Sequence, residues 1–155
     1  MPIVPKRYVP KTLNKRDKVK ASKELNLSRK LYKKGKYYTR KRVKSFKSKP
    51  SKHIVKARKT YGIQNIKPST ELAKKTGCSI GALKKIVSKG EGAYFSSGSR
   101  PNQTAHSWGY ARLASSITGG KASAVDYTIL ENGCKSNSKA LKLAKTSQHF
   151  KHGTR

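Results

Sequence analysis

The side chains able to do acid–base or nucleophilic chemistry are few and scattered in this sequence. Its 155 residues carry six carboxylates, at Asp17, Glu24, Glu71, Glu91, Asp126 and Glu131, and four histidines, at 53, 106, 149 and 152. Acid–base catalysis needs such groups held together at a reacting bond, and no two carboxylates here share a motif. His106 beside Ser107, with Asp126 further on, has the residue types of a triad, but no Gly-x-Ser-x-Gly elbow presents the serine. Cys78 and Cys134 lack the paired spacing of zinc ligands. With no secretory leader ahead of them, they are expected to be two reduced, half-buried thiols. The expectation is a protein that is not an enzyme, with no catalytic residues, no metal and no cofactor.

Positive charge is the abundant chemistry. Lys and Arg number 38, for a net charge of +32. Residues 1–60 hold 23 of these cations against Asp17 and Glu24, so +21 of the excess lies there. Self-repulsion on this scale opposes compaction unless a partner neutralises it. Arg29-Lys30, Lys33-Lys34-Gly35-Lys36 and Arg40-Lys41-Arg42 are the candidate polyanion-binding runs, interleaved with Tyr32, Tyr37, Tyr38 and Phe46, which would stack on bases or form core. DNA is the favoured polyanion. RNA, acidic protein or peripheral contact with an anionic membrane surface would also satisfy the charge. No apolar stretch is long enough to span a bilayer.

Two further segments carry patterns. ELAKKTGCSIGALKKIV (71–87) has the core spacing of a helix-turn-helix: Leu72 and Ala73 on the first helix, Gly77 at the turn, Cys78 after it, Leu83 and Ile86 on the second. Ser79, Ile80, Gly81, Lys84 and Lys85 would then face a major groove, with Lys89 near phosphate. Gly81 weakens that helix, and no Arg, Asn or Gln reads bases from it, so a structural hairpin is the larger expectation. The polar stretch GAYFSSGSRPNQTAHSWG (92–109) reads as a docking loop through Ser99, Arg100, Asn102, Gln103 and Trp108, or as a packed loop anchored by Tyr94 and Trp108. Gly98-Ser99-Arg100 and Gly119-Gly120-Lys121 have the composition of anion nests.

The elements that must position these residues are short helices. Prolines at 2, 5 and 10 make residues 1–12 an extended arm, made sticky by Ile3, Val4, Tyr8 and Val9. A helix is expected over 14–34, ended by Gly35, then a basic strand or ribbon over 36–52, then a helix over 53–61 closed by Gly62. Helices over 69–75 and 79–88 follow, the second stopped by Gly90, with a polar loop over 91–104. Thr104 caps a helix over 105–118. Another covers 122–132 with Val125 and Ile129 inward, and Ser138 caps the last over 139–147. Ile, Val, Leu and Phe total only 28 residues, a thin core. The fold class is mainly α, several short helices in one small domain with a basic, partly extended N-terminal arm. Residues 1–60 form the arm and a helical or extended segment that orders on a partner. Residues 61–155 form a compact helical domain with the helix-turn-helix-like hairpin at 69–89.

SRKLYKKGKYYTRKRVKSFKSK (28–49), ELAKKTGCS (71–79) and GAYFSSGSRPNQTAHSWGYARLASSITGGKASAVDYTIL (92–130) resemble a family of small basic proteins encoded by large nucleocytoplasmic DNA viruses of algae and protists. The resemblance covers most of the chain and brings no functional residues with it. It implies a virion protein, present in the host cytoplasm or viral factory during assembly. The expected function is a non-enzymatic structural virion protein, a minor capsid or core component, bridging other virion proteins and a polyanion. The alternative is a DNA-binding protein using segment 69–89 and the basic N-terminal half. Oligomeric state is not readable from the sequence.

Overall fold

The computed structural model describes residues 8–47 and 51–147 and is mainly helical. In chain order the helices are α1 (Lys15–Lys33), α2 (Lys52–Tyr61), α3 (Thr70–Thr76), α4 (Ile80–Ser96), α5 (Ala105–Ile117), α6 (Lys121–Val125), α7 (Tyr127–Gly133) and α8 (Lys139–Thr146). Polar side chains start most of them. Asn14, Ser51, Ser69 and Ser138 each accept a bond from an N–H of the first turn of α1, α2, α3 and α8. Such a bond satisfies a donor the helix itself cannot and stabilises by about 1 kcal/mol. Thr104 and Ser107 cap α5 reciprocally, each hydroxyl accepting the other's N–H.

The chain forms two units, whose boundaries fall within α4 and α5. The first unit comprises residues 8–47 and 91–108; the second comprises 51–90 and 109–147. This partition differs from the one expected at residue 60. α2 joins the second unit because Ala57 and Tyr61 are buried in its core. Residues 91–108 join the first because they hold the basic segment, as described below.

The second unit has the larger apolar core. Leu72, Leu83, Ile86, Leu113, Ile117 and Leu130 are fully buried, with Ala57, Ala114, Ala140 and Ala144 letting helices approach closely. Gly90 does not stop α4. It lies inside the helix, and a Cβ there would come within 2.6 Å of Gly109 Cα, so the glycine is kept for a close crossing with α5. The helix expected over 122–132 breaks at Asp126, giving α6 and α7. The break rotates the sequence between them: Leu130 becomes the fully buried residue, while Val125, expected inward, is exposed.

Cys78 and Cys134 are not free thiols. They form a disulfide across a separation of 56 residues, with Cα atoms 3.8 Å apart. Flanking backbone bonds, Ser79 N–H to Gly133 O and Lys135 N–H to Gly77 O, make a single antiparallel bridge there. The expectation of two reduced thiols rested on the lack of metal-ligand spacing and of a secretory leader, and neither says anything about residues joined by tertiary folding.

The first unit has a small apolar cluster of Leu13, Ala21 and Val43, with Val9 and Phe46 against it. Residues 36–47 form no strand; they run irregularly beside α1 and are held by side chains. Tyr8 is buried and meets Trp108 edge-to-face at 6.1 Å, so the arm is packed from there on. Ile3, Val4, His149 and His152 lie outside the described residues. Among the described residues, no helix is long and apolar enough to cross a membrane.

Candidate nucleic-acid interface

The basic segment 36–47 is positioned by three clamps. Glu24 on α1 accepts the Tyr38 hydroxyl at 2.8 Å and the Lys41 N–H at 2.8 Å. Asp17, in the first turn of α1, accepts both the N–H and the hydroxyl of Ser45. Those bonds hold the Asp17 carboxyl below the usual carboxylate range. Asn102 closes the third clamp. Its amide accepts the Val43 N–H at 2.7 Å and donates to Val43 O at 3.1 Å, imitating a strand neighbour. Asn102 stands in the left-handed region, at φ +63°, a conformation Asn tolerates better than most residues.

Arg40 is the centre of this unit and not a surface cation. Its guanidinium donates to Ser28 Oγ at 2.9 Å, to Tyr94 O at 2.8 Å and to Ser99 Oγ at 2.7 Å. It lies 3.8 Å from the Tyr94 ring centroid, and the Tyr94 hydroxyl accepts the Arg40 N–H. Burial pushes the Arg40 guanidinium down from its ordinary value. Its place among the expected polyanion contacts is therefore corrected. The alternation of cations with aromatics could not show which cation faces Tyr94, a residue 54 positions away. Arg29 is likewise engaged, donating to Ser97 O.

The docking-loop expectation changes for the same reason. Ser99 is buried against Arg40, Asn102 holds Val43, Gln103 accepts the Ser107 hydroxyl at 2.7 Å, and Trp108 meets Tyr8. Only Arg100 of the five is exposed. The loop docks on its own chain. It is also shorter than expected, since α4 continues to Ser96. Each expected anion nest has an N–H committed within the chain. The Gly98 N–H bonds Ala93 O, and the Gly120 and Ala122 N–H groups bond Ser115.

The remaining expected contacts stay at the surface. Lys30, Lys33, Lys34, Lys36, Lys41 and Arg42 are exposed in the first unit. In the second, α3, the left-handed Gly77 (φ +77°) and α4 form a helical hairpin, with Leu72, Cys78, Leu83 and Ile86 inward. Ser79 caps α4 through the Ala82 N–H. Gly81, Lys84, Lys85, Ser88 and Lys89 recur at i, i+3, i+4, i+7 and i+8, and all five are exposed. They form one open face. A further cationic cleft, of about 590 Å³, is lined by Lys52, His53, Lys56, Lys121 and Thr146. The sequence reading missed the union of Lys52 and Lys56 with Lys121, because no local spacing links residues so far apart.

The carboxylates are disposed the opposite way. Asp17, Glu24 and Asp126 are buried. Asp126 receives a bidentate Arg112, at 2.7 and 3.0 Å, and the Ser116 hydroxyl at 2.8 Å. His106 lies 3.2 Å from Glu91, so His106 and Asp126 of the imagined triad have separate partners. Among the described residues the close contacts between a basic and an acidic side chain are Arg112–Asp126 and His106–Glu91, and neither involves a lysine.

No curated protein and no solved structure matches the chain. A family model matches residues 5–134, most of its length, and the chain therefore belongs to the family of unknown function DUF5824.

Proposed function

We propose that this protein is a non-enzymatic structural component that binds a polyanion, with nucleic acid as that polyanion and a virion as its setting. The virion setting, with bridging of neighbouring proteins, rests on the resemblance in segments 28–49 and 92–130. Nucleic-acid binding rests on one observation. Half of the six carboxylates are buried and hold the fold together, while no lysine side chain of the described residues is in a salt bridge. A surface so unbalanced lowers its free energy by exchanging counter-ions for a polyanion. Because the loop side chains at 99 and 102 are used internally, contact with the packaged genome is favoured over capsid docking through that loop.

Binding of the full chain to duplex DNA and to heparin, followed by anisotropy across a salt series, tests this. Six or more phosphate contacts predict a loss of about a thousand-fold between 50 and 200 mM salt. Absent or salt-insensitive binding refutes the proposal. Mass spectrometry of virions separated into shell, membrane and core tests the setting; absence from purified particles removes it.

A second reading is favoured by the open face of α4. If DNA selected from a random pool converges on a motif, and Lys84→Ala or Lys85→Ala abolishes the preference, the hairpin is a reading head. The bridge at 77–79 to 133–135 favours a structural hairpin instead.

A further inference from the structure

Four aromatic residues interleave the basic run 30–47, and the structure divides them. Tyr38 is turned to Glu24, and Phe46 packs on the small apolar cluster. Tyr32 and Tyr37 point outward, and Tyr37 is 75 % exposed. A Tyr left this open contributes little to the core, so its placement is not explained by folding.

The placement has a definite geometric cause. α1 ends in a Schellman closure: Gly35 N–H bonds Tyr32 O at 2.9 Å and Lys36 N–H bonds Leu31 O at 2.9 Å. Gly35 at φ +77° reverses the chain there. The reversal returns Tyr37 beside Tyr32, ring centroids 6.2 Å apart. Tyr37 also meets Phe95, from the last turn of α4, at 5.0 Å. Phe95 is itself supported edge-on by the fully buried Tyr94 at 5.0 Å. The result is a row, Tyr32–Tyr37–Phe95, built on the best-anchored ring of the unit. Along the chain the row is flanked by Lys30, Lys33, Lys34 and Lys36, all exposed.

We infer that the Tyr32–Tyr37–Phe95 row is a stacking platform for the unpaired bases of a single-stranded nucleic acid, whose phosphates the flanking lysines receive. This rests on the proposed nucleic-acid binding and specifies its form. A partner for this patch must offer flat apolar faces and closely spaced negative charge together. An acidic protein offers the charge without the faces. A duplex offers phosphates, but its bases are already stacked on one another. Unpaired nucleotides present both, and stacking accepts any base, which suits the absence of a base-reading side chain among these residues.

The test uses the full chain and four probes: labelled oligothymidylate, the same strand annealed to its complement, heparin, and phosphatidylserine vesicles. The single strand is expected to bind more tightly than the duplex. Tyr37→Ala should weaken oligothymidylate roughly 5- to 150-fold, leave heparin unchanged, and be rescued by Tyr37→Phe. Tyr37 is exposed enough that the substitution should not disturb folding, which circular dichroism checks. Equal single-strand affinity for wild type and Tyr37→Ala overturns the platform. So does duplex preference. So does a Tyr37→Ala defect confined to phosphatidylserine vesicles, which would make the row a membrane contact. If heparin binds and the single strand shows no advantage, the platform alone falls. If neither binds, the proposed function falls with it.

Discussion

The two units of this molecule reach order by different means. The second buries a run of aliphatic side chains, and its turn is cross-linked by Cys78–Cys134. The first has few aliphatic residues to bury, and its interior is polar: Arg40 among Ser28, Ser99 and Tyr94, with Glu24, Asp17 and Asn102 clamping the basic segment. A hydrophobic core tolerates imperfect geometry, because burial is non-directional. A polar interior does not, because each buried group left without a partner costs about 1–3 kcal/mol. A chain this rich in lysine can therefore still order its basic half, provided its few carboxylates are placed where they bind backbone N–H groups and are not scattered among the surface lysines.

Three experiments would break or sharpen that contrast. The largest effect is expected from the second unit's cross-link. Replacing both cysteines, Cys78→Ser with Cys134→Ser, frees a loop of 56 residues and should cost about 4 kcal/mol on a chain-entropy basis. Urea unfolding followed by far-ultraviolet circular dichroism reads this. An unchanged midpoint would mean that the apolar core and the flanking backbone bonds hold the bridge unaided.

Next comes the polar centre of the first unit. Arg40→Lys keeps the charge but loses the planar fork, so Ser28, Ser99 and the Tyr94 carbonyl lose their donor; a cost of roughly 2–4 kcal/mol is expected. Trp108 is the chain's only tryptophan and belongs to this unit, so its fluorescence reports the loss directly. A variant as stable as the parent would show Arg40 to be a dispensable cation.

The smallest effect is a pH dependence. The Asp17 carboxyl is held down in the folded state, chiefly by the Ser45 hydroxyl and then by its N–H. A depressed folded value means the contribution is fully present above the unfolded carboxylate range, near 4, and is lost as pH falls through the lower folded value. Trp108 fluorescence should therefore show a loss of stability in acid that Asp17→Asn removes. On the alkaline side burial raises the Tyr61 phenol of the second unit, and hydrogen bonding to Glu24 raises that of Tyr38 in the first. Raised values stabilise below the unfolded phenol range, near 10, and that contribution is lost above it.

Helix starts were the most legible part of the fold. A serine or threonine ahead of an apolar period announces itself locally, as at Thr104 and Ser138, whereas Ser51, read as part of the basic ribbon over 36–52, turns out to cap α2. Helix ends were less so. Gly35, Gly62 and Gly77 do end helices at positive φ, but Gly90 has the same composition signal and lies mid-helix, because its value is the space it leaves for Gly109. Of the expected binding residues, the lysines needed only their exposure, which is the default for that side chain. Arg40, Ser99 and Asn102 were misread as outward because hydrogen-bonding side chains look alike in sequence whether they meet a partner or the chain itself.

The sequence by itself determined that this protein is mainly helical and that its surface must carry a large uncompensated positive charge. Both follow from local spacing and from composition, which no folding can change. Tertiary structure alone decided which cations remain available, which two of four aromatics in the basic run stay exposed and that one of them, Tyr37, meets Phe95, and that two cysteines 56 residues apart meet. Those outcomes depend on contacts between segments distant in the chain, where the information lies in shape complementarity and not in any window of residues.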